Sequence, residues 1–395
     1  MAQFQFPRDT AYPIVHLVAS CAGTPGGVGD MALRLDISAT EVRLTANNGA
    51  LRLSALLPDV QVLADAKTPL PCAIHIPAEK LVSVLKPIPK GTEVKAALEP
   101  GKLALRAGKS KFSLTVLSDN HPALEPRKAD SVASGAVAVL PGAQLARHLE
   151  QVLVSAGKQD ARAILNGVYL ELLQNPDGYR MTASDGRRLA HVEVELPQGS
   201  ISREDACILP VTNLATLIKA AGSAETVECL LDEHGLRLRT PSLLLETNRI
   251  DGEYLAYERA LPHRDAGSLE LDSAEFLDCL KQVAPLTNPD APSLQLTTDG
   301  DTLTIRSRPG AVSAQEEAVA EMTVTPAVGN PEVCPPGEPR DACPLELGVL
   351  LNRDYLLDSG KVLSPGRWRV YYRDASSAVE LTDGETRYIV MAMRQ

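Results

Sequence analysis

Aromatic residues are scarce in this 395-residue chain. Phe, Trp and Tyr together make up 4% of it, whereas apolar residues as a whole make up 44%. The cores are therefore predicted to be aliphatic. No stretch approaches the roughly 18 apolar residues of a membrane-spanning helix, and the N-terminal residues lack a basic segment followed by an apolar one. We expect a cytoplasmic protein with no membrane partner.

The sequence also lacks the residue spacings of a metal or catalytic site. Its seven cysteines form no C-x-x-C pair, and none has a histidine at zinc-ligand spacing, so we expect no metal and no cofactor. Free thiols are favoured, although Cys334 and Cys343 share a loop in which they could meet. Neither a nucleophile elbow nor a phosphate-binding loop is present. A hydrolase would need a dispersed site, for which His148 and His191 are candidate bases.

The balance of charge excludes one class of nucleic-acid-binding protein. There are 39 basic and 50 acidic residues, which gives a net charge of −11. A protein that holds nucleic acid by a dominant basic surface carries the opposite charge. A basic stripe inside an acidic envelope stays compatible with this composition.

A pattern with a long period runs through the chain. In 42–49 and again in 179–186, alternating residues lead into an Asn-Gly or Asp-Gly pair, and a second alternating segment follows. Alternation is typical of a half-buried strand, and Asx-Gly supplies the positive φ of a tight hairpin. A weaker third copy lies at 303–310. Further predicted strands repeat at 102–106, 112–115, 235–239, 243–246, 368–372, 378–381 and 388–391.

Two predicted helices accompany each copy of this pattern. A period near 130 residues marks a domain rather than a solenoid repeat. We therefore predict an α+β chain of three similar domains, 1–128, 129–264 and 265–395, the last with a surface loop at 326–344 that holds six prolines. Six related helix-plus-sheet units favour a curved or closed assembly, which enzymes seldom need. The predicted helices are 9–22, 78–85, 141–156, 211–221, 273–283 with Ser273 as N-cap, and 352–362.

Five segments together resemble a known family. They occur in the order and at nearly the spacing of the bacterial sliding clamp, the beta subunit of DNA polymerase III, of which this chain resembles a divergent member. Singly each match is weak, and the first hundred residues match mainly in pattern. The segments are 106–114, 160–167, 184–190, 250–262 and 388–395.

The resemblance implies the DNA clamp fold, in which each domain has two helices and two antiparallel sheets. It further implies a head-to-tail homodimer that closes a six-domain ring around duplex DNA, whatever the DNA sequence. Such a clamp is not an enzyme but a processivity factor that tethers DNA polymerase and other replication or repair proteins. By position, Phe112 of one subunit would meet the region of Leu286 in the other, where Pro285 replaces an aliphatic residue of the family.

A closed ring needs only a mildly positive lining, because many phosphate contacts would grip DNA instead of letting the ring slide. For any single lysine, a solvated helix face is an equally good interpretation. Gln159 matches a DNA-contacting glutamine of the family, whereas Ala163 and Ile164 replace two aromatics, so stacking on bases is lost there. The predicted DNA-facing residues are Lys80, Lys86, Lys90, Arg147, Lys158, Gln159, Arg162, Lys219, Lys281, Arg353 and Lys361.

The resemblance also implies a groove in which short linear motifs of DNA polymerase and the clamp loader bind. An adaptable floor of Leu, Ile and Met, with arginines that can meet acceptors, suits an extended peptide. Taken singly, Asp185 and Gly186 are only a hairpin turn, and Met391 and Met393 fit a core strand. By position the groove residues are Leu165, Ser184, Gly186, Arg187, Arg188, Leu189, Leu255, Arg259, Ala260, Tyr355, Ser376, Ala378, Ile389, Met391, Met393 and Arg394.

Two departures from the family pattern bear on partner choice. Residues 391–395 read Met-Ala-Met-Arg-Gln where the family has Met-Pro-Met-Arg-Leu, and residues 255–256 read Leu-Ala where it has Phe-Pro. A divergent clamp paralogue with a restricted set of partners or a weaker ring is therefore an alternative. A hydrolase on an unrelated three-domain scaffold is the alternative from another class.

Overall fold

The computed structural model describes residues 2–23, 31–63, 70–117, 124, 135–261, 267–307, 317–327 and 347–393. Most of the predicted loop at 326–344, with Cys334 and Cys343, lies outside these ranges. By its internal contacts the chain divides into two compact units. Unit 1 holds Met1–Ala146 and Ser200–Arg249, and unit 2 holds Arg147–Gly199 and Ile250–Gln395.

The described residues form six α-helices and 26 strands. The helices are α1 (Arg8–Ala19), α2 (Ala78–Leu85), α3 (Gly142–Leu153), α4 (Val211–Ala221), α5 (Ser273–Val283) and α6 (Arg353–Val362). The strands are β1 (Gln3–Pro7), β2 (Ala32–Ile37), β3 (Val42–Asn47), β4 (Leu51–Leu56), β5 (Gln61–Leu63), β6 (Cys72–Pro77), β7 (Glu93–Glu99), β8 (Lys102–Ala107), β9 (Ser110–Thr115), β10 (Ala136–Pro141), β11 (Gly167–Leu173), β12 (Gly178–Ser184), β13 (Arg188–Glu195), β14 (Asp205–Pro210), β15 (Thr226–Asp232), β16 (Gly235–Arg239), β17 (Leu243–Asn248), β18 (Gly267–Asp272), β19 (Ser293–Asp299), β20 (Thr302–Ser307), β21 (Val319–Thr323), β22 (Thr325–Ala327), β23 (Gly348–Asn352), β24 (Arg367–Tyr372), β25 (Val379–Thr382) and β26 (Thr386–Val390).

Every predicted helix is present, with differences at the ends. Helix α1 ends at Ala19 rather than at residue 22, because the amide of Cys21 donates to Val18, three residues back, and tightens the last turn. Helix α3 likewise ends at Leu153, after which the amide of Ser155 donates to Val152. None of the helices that the structure describes is long and apolar enough to cross a membrane.

The predicted N-cap of α5 is wrong by one residue. The carboxylate of Asp272 accepts hydrogen bonds from the amides of Ala274 and Glu275, at 3.0 and 3.1 Å, so Asp272 is the N-cap. The Ser273 hydroxyl instead accepts the amide of Gly366 at 2.8 Å. Asp272 is the better cap because a carboxylate also complements the positive end of the helix dipole.

Unit 1 contains two antiparallel sheets. One has the strand order β5-β1-β7-β8-β9, and the other has the order β10-β15-β16-β17-β4-β3-β2-β6. The second sheet joins two copies of the repeated pattern where β17 pairs with β4, with Leu245 opposite Leu53. Its predicted hairpin turn is confirmed, since Gly49 between β3 and β4 has φ +92°.

Unit 2 repeats this arrangement. One sheet runs β11-β12-β13-β26-β25-β24-β18-β22 and a smaller one runs β21-β20-β19-β23. The larger sheet again joins two copies where β13 pairs with β26, with Leu189 opposite Ile389. Pro326 lies in β22, opposite Leu269, so the first two residues of the predicted loop belong to this strand. Proline is tolerated there because β22 is an edge strand of this sheet.

The core is mainly aliphatic, as predicted, but a few aromatic residues occupy its centre. Trp368, the single tryptophan, is 1% exposed, and its indole N–H donates to the carbonyl of Ser364 at 2.7 Å. Phe276 of α5 meets its ring edge-on, with centroids 6.3 Å apart. The two aromatic rings therefore fasten α5 to β24.

Candidate functional site

The turn between β12 and β13 is held by side-chain hydrogen bonds. The Asp185 carboxylate accepts the amides of Arg187 and Arg188 at 2.9 and 3.1 Å, and the Ser184 hydroxyl accepts the amide of Gly186 at 3.0 Å. Gly186 has φ +84°, and a Cβ there would lie 2.8 Å from the guanidinium of Arg162. Glycine is therefore favoured by the backbone conformation, whereas the flexible Arg162 side chain could shift to make room for a Cβ.

The end of the chain runs beside this turn. The amide of Met391 donates to the carbonyl of Arg187 at 3.0 Å, and the amide of Met393 donates to Leu350 at 2.8 Å. Leu189 and Ile389 form a cross-strand pair beneath, 4% and 1% exposed, whereas Met391 is 45% exposed. An aliphatic floor thus lies next to an exposed, flexible thioether, which is suited to binding apolar side chains of a partner.

Arg188 is enclosed by partners. Its Nη1 donates to Asp358 Oδ2 at 2.6 Å and its Nε donates to Asp185 Oδ2 at 3.0 Å, while the guanidinium lies 4.5 Å from the centroid of the Tyr355 ring. The Tyr388 hydroxyl, close to the same guanidinium, donates to the carbonyl of Tyr355 at 2.9 Å. These contacts hold Arg188 beside the Tyr355 ring, and its predicted contact with acceptors on a peptide stays a prediction.

The segment 254–257, which precedes β18, is anchored by tyrosines. Tyr254 stacks on Tyr169 with centroids 4.8 Å apart, and the Tyr257 hydroxyl donates to Glu171 at 2.6 Å. Burial raises the pKa of Glu171 in spite of that hydrogen bond. Leu255, half-buried, is held between the two anchored tyrosines.

The structure places the other predicted groove residues as follows. Leu165 is fully buried in a short 3-10 helix, Ala163–Asn166, and its carbonyl accepts the amide of Gly157 at 2.8 Å. Ala378 precedes β25, whose first residue Val379 pairs with Val390. No hydrogen bond or ion pair joins Arg259, Ala260 or Ser376 to the other predicted groove residues within the described part of the chain; all three are exposed. Arg394 lies outside the described residues.

The corresponding position in unit 1 is charged. Counted from the hairpin turn, Arg52 of β4 matches Leu189 of β13, and its cross-strand partner is Glu246, with Nε and Oε2 3.5 Å apart. The same strand arrangement therefore produces a polar cleft in unit 1, about 350 Å³ with the open space at its mouth included. An aliphatic floor distinguishes the groove of unit 2.

Half of the ten predicted DNA-facing cations are engaged with carboxylates. Gln159 is exposed with φ +62°, in a loop held by two 2.8 Å hydrogen bonds between Asp160 and Asn166. The ion pairs are Arg147–Glu385, Arg162–Asp160, Lys281–Asp278, Arg353–Asp354 and Lys361–Asp358. Among the described residues no carboxylate partner is found for Lys80, Lys86, Lys90, Lys158 or Lys219, all exposed.

Of the two predicted dimer contacts, one lies on an edge strand and the other follows a helix. Phe112 is half-buried on β9, an edge strand of the first sheet of unit 1. In unit 2, Leu286 follows α5 and is 38% exposed, and Val319 on the edge strand β21 is 46% exposed. Open strand edges and exposed aliphatic side chains are what a strand-to-strand contact requires.

The two candidate bases of a hydrolase are buried. His148 bonds Tyr179 at 2.8 Å and Glu385 at 3.0 Å, and His191 bonds Thr182 at 2.9 Å. Their exposed fractions are 0% and 3%. Both rings tie structural elements together, and neither faces a surface that a substrate can reach.

Because His191 is buried, we expect the free energy of unfolding to fall in acid. Burial, and next the charge of Arg387, lower its pKa from 6.5 to about 4. The unfolded chain therefore binds more protons between these pH values, so stability falls as the pH drops from 6.5 towards 4. We expect a loss of about 2 kcal/mol between pH 7 and pH 5, measured by urea unfolding. His191→Gln should reduce this loss, whereas His234→Gln, at a histidine 75% exposed, should not; equal losses in both would contradict the assignment.

Comparison with known proteins finds similarity to one family. The model of the DNA polymerase III beta subunit, central domain, matches residues 139–255. The beta sliding clamp of Pseudomonas aeruginosa is 28% identical over 338 residues, 84% of each chain, and that of Caulobacter vibrioides is 27% identical over 372 residues, 90% of this chain and 92% of the relative. Residues 139–255 are thus similar to the central domain of the DNA polymerase III beta subunit, and the similarity to beta sliding clamps extends over most of the chain.

Solved structures of the clamp family share its fold. A crystal structure of the sliding clamp of Pseudomonas aeruginosa bound to griselimycin matches with a TM-score of 0.84 and 24% identity, over 100% of both chains. The predicted fold class, an α+β clamp fold with paired helices and antiparallel sheets, is confirmed by this likeness and by the six helices.

Sequence reasoning missed one residue that contacts the predicted groove. Asp358 was not singled out, although it lies three residues after Tyr355 and three before Lys361 on a predicted helix. That spacing was a usable signal, since residues three apart on a helix are neighbours.

Proposed function

We propose that this chain is a sliding clamp, a non-catalytic subunit that encircles duplex DNA and tethers DNA polymerase and other replication or repair proteins. The observation that carries the proposal is the clamp fold over the whole chain, with 100% of it matched. In this proposal two copies close a ring of six domains, bounded at 1–128, 129–264 and 265–395. Each of these ranges holds two of the six helices. The site of action is then the DNA of the bacterial cytoplasm.

The charges support sliding rather than gripping. Each phosphate that a protein neutralises adds affinity and salt dependence. The chain carries a net charge of −11, and five of its candidate DNA-facing cations are already paired with carboxylates. A lining of this kind holds DNA weakly, and closure of the ring would keep it in place.

The groove of unit 2 is the proposed docking site for short motifs of DNA polymerase and the clamp loader. Leu189 and Ile389 form its floor, and Met391 and Arg187 stand exposed at its edge. We propose that griselimycin, found with the clamp of Pseudomonas aeruginosa, also binds here. A few apolar anchors would supply most of the affinity.

The proposed dimer predicts a solution mass near twice 42.2 kDa. Phe112→Asp should reduce that mass to a single chain, because a carboxylate would be buried without a partner at the edge of β9. Leu63→Asp is the matched control, since Leu63 is 50% exposed on β5, the opposite edge strand of the same sheet. The measurement is light scattering over a range of concentrations. A wild-type mass of 42.2 kDa at every concentration would reject the ring.

A further inference from the structure

Helix α6 carries three polar side chains at intervals of three residues. Tyr355, Asp358 and Lys361 therefore occupy successive turns along one side of the helix. Tyr355 is half-buried in the predicted groove, and Lys361 is 69% exposed. Asp358 lies between them and is 21% exposed.

Both oxygens of the Asp358 carboxylate are occupied by cations. Oδ2 accepts from Arg188 Nη1 at 2.6 Å, and Oδ1 accepts from Lys361 Nζ at 2.6 Å. Burial opposes its ionisation, but hydrogen bonds from Lys361 and Arg188 outweigh burial, so the pKa of Asp358 is lowered. The carboxylate is thus charged and fixed from two sides.

Arg188 connects the fixed carboxylate of Asp358 to Tyr355 of the predicted groove. Its planar guanidinium is held by Asp358 and Asp185, and it covers one face of the Tyr355 ring. A guanidinium with two carboxylate partners has little freedom to turn, and the stacked ring shares that restriction. The order of contacts is Lys361, Asp358, Arg188 and then Tyr355.

We propose that Asp358 is a positioning residue of the partner groove, holding Arg188 and Tyr355 in the binding geometry while Lys361 holds Asp358. The inference rests on the proposed function of the groove. In this proposal Asp358 acts through Arg188, which it holds by a 2.6 Å hydrogen bond, rather than through a contact of its own with the ligand. Affinity for a partner therefore depends on an ion-pair chain that ends at an exposed lysine outside the predicted groove.

The test measures the Kd of labelled griselimycin with the full-length protein. Asp358→Asn should raise the Kd about tenfold, because an amide replaces a charge-assisted hydrogen bond to Arg188 by a weaker one. Lys361→Met, which keeps the apolar stem, should raise it about two- to threefold. The double variant should bind no more weakly than Asp358→Asn alone, because residues in one chain of contacts are not additive. Asp358→Glu should restore binding to within about threefold of wild type.

Helix α5 offers a matched control. Asp278 pairs with Lys281 at 2.9 Å with the same three-residue spacing, and neither belongs to the predicted groove. Asp278→Asn should leave the Kd unchanged. A Kd for Asp358→Asn within twofold of that for Asp278→Asn would overturn the inference. An additive loss in the double variant would overturn it as well.

Two further outcomes keep the test decisive. If Asp358→Asn fails to fold, judged by its thermal melting, Lys361→Met carries the test, and an unchanged Kd in that variant rejects the inference. If wild-type protein does not bind griselimycin at all, the groove assignment fails, and the inference fails with it. Wild-type binding with no effect of Asp358→Asn rejects the inference alone.

Discussion

Leu189→Ala combined with Met391→Ala should weaken griselimycin binding at least about a hundredfold and leave the chain dimeric. Met391 is 45% exposed at the groove, and truncating it removes apolar surface worth about 2 kcal/mol of binding free energy. Leu189 is 4% exposed, so its truncation hollows the floor beneath the ligand. Each factor of ten corresponds to about 1.4 kcal/mol, so the two changes together reach a hundredfold.

The structure requires a check on folding in this experiment. Removing a buried leucine side chain costs about 2–5 kcal/mol of the free energy of unfolding, so the double variant must be shown to stay folded at the assay temperature. Leu63→Ala is the matched control for exposed apolar surface, because Leu63 is 50% exposed on β5 in unit 1. If the folded double variant binds griselimycin with a Kd within threefold of that of Leu63→Ala, the groove is not at this site.

The fold could be predicted from local patterns to a large extent. Alternation and the Asn-Gly and Asp-Gly pairs predicted the β3–β4 and β12–β13 hairpins, and Gly49 and Gly186 have the positive φ that such turns need. Helix ends were harder, because the last turns after Ala19 and Leu153 tighten through backbone bonds that carry no residue signature. The N-cap at Asp272 was missed because Asp and Ser in sequence are both good caps.

The groove could be predicted in position but not in its contacts. The resemblance placed Arg188 and Tyr355 together, and the structure stacks them. It did not show that Asp358 and Asp185 occupy the guanidinium, since Arg188 and Asp358 are 170 residues apart. Ion pairs between residues so far apart are decided by tertiary packing, and sequence spacing does not report them.

The same limit applies to the DNA-facing residues. Pairs such as Asp278–Lys281 and Asp358–Lys361 are three residues apart and could be read from the sequence of a helix. The bidentate pair of Arg147 with Glu385 joins residues 238 apart and could not. Pairing lowers the positive charge that a lining offers to phosphates, so the proposed ring holds DNA more weakly than a count of lysines and arginines suggests.

Retention on DNA should therefore depend on the topology of the DNA, and this is the second large effect. A protein held by phosphate contacts leaves circular and linear DNA at similar rates and dissociates as salt is added. A closed ring slides off a free end but stays on a circle. The net charge of −11, together with the pairing of half of the candidate DNA-facing cations with carboxylates, favours the behaviour of a closed ring.

The most direct test of the account is retention on a nicked circular plasmid before and after one cut. The protein is assembled on the circle with its clamp loader, and bound protein is measured by gel filtration in moderate salt. We expect the protein to elute with the circular DNA, and at least about nine-tenths of it to be released once a restriction enzyme linearises the plasmid. Equal retention on circular and linear DNA, or no retention on either, would contradict encirclement.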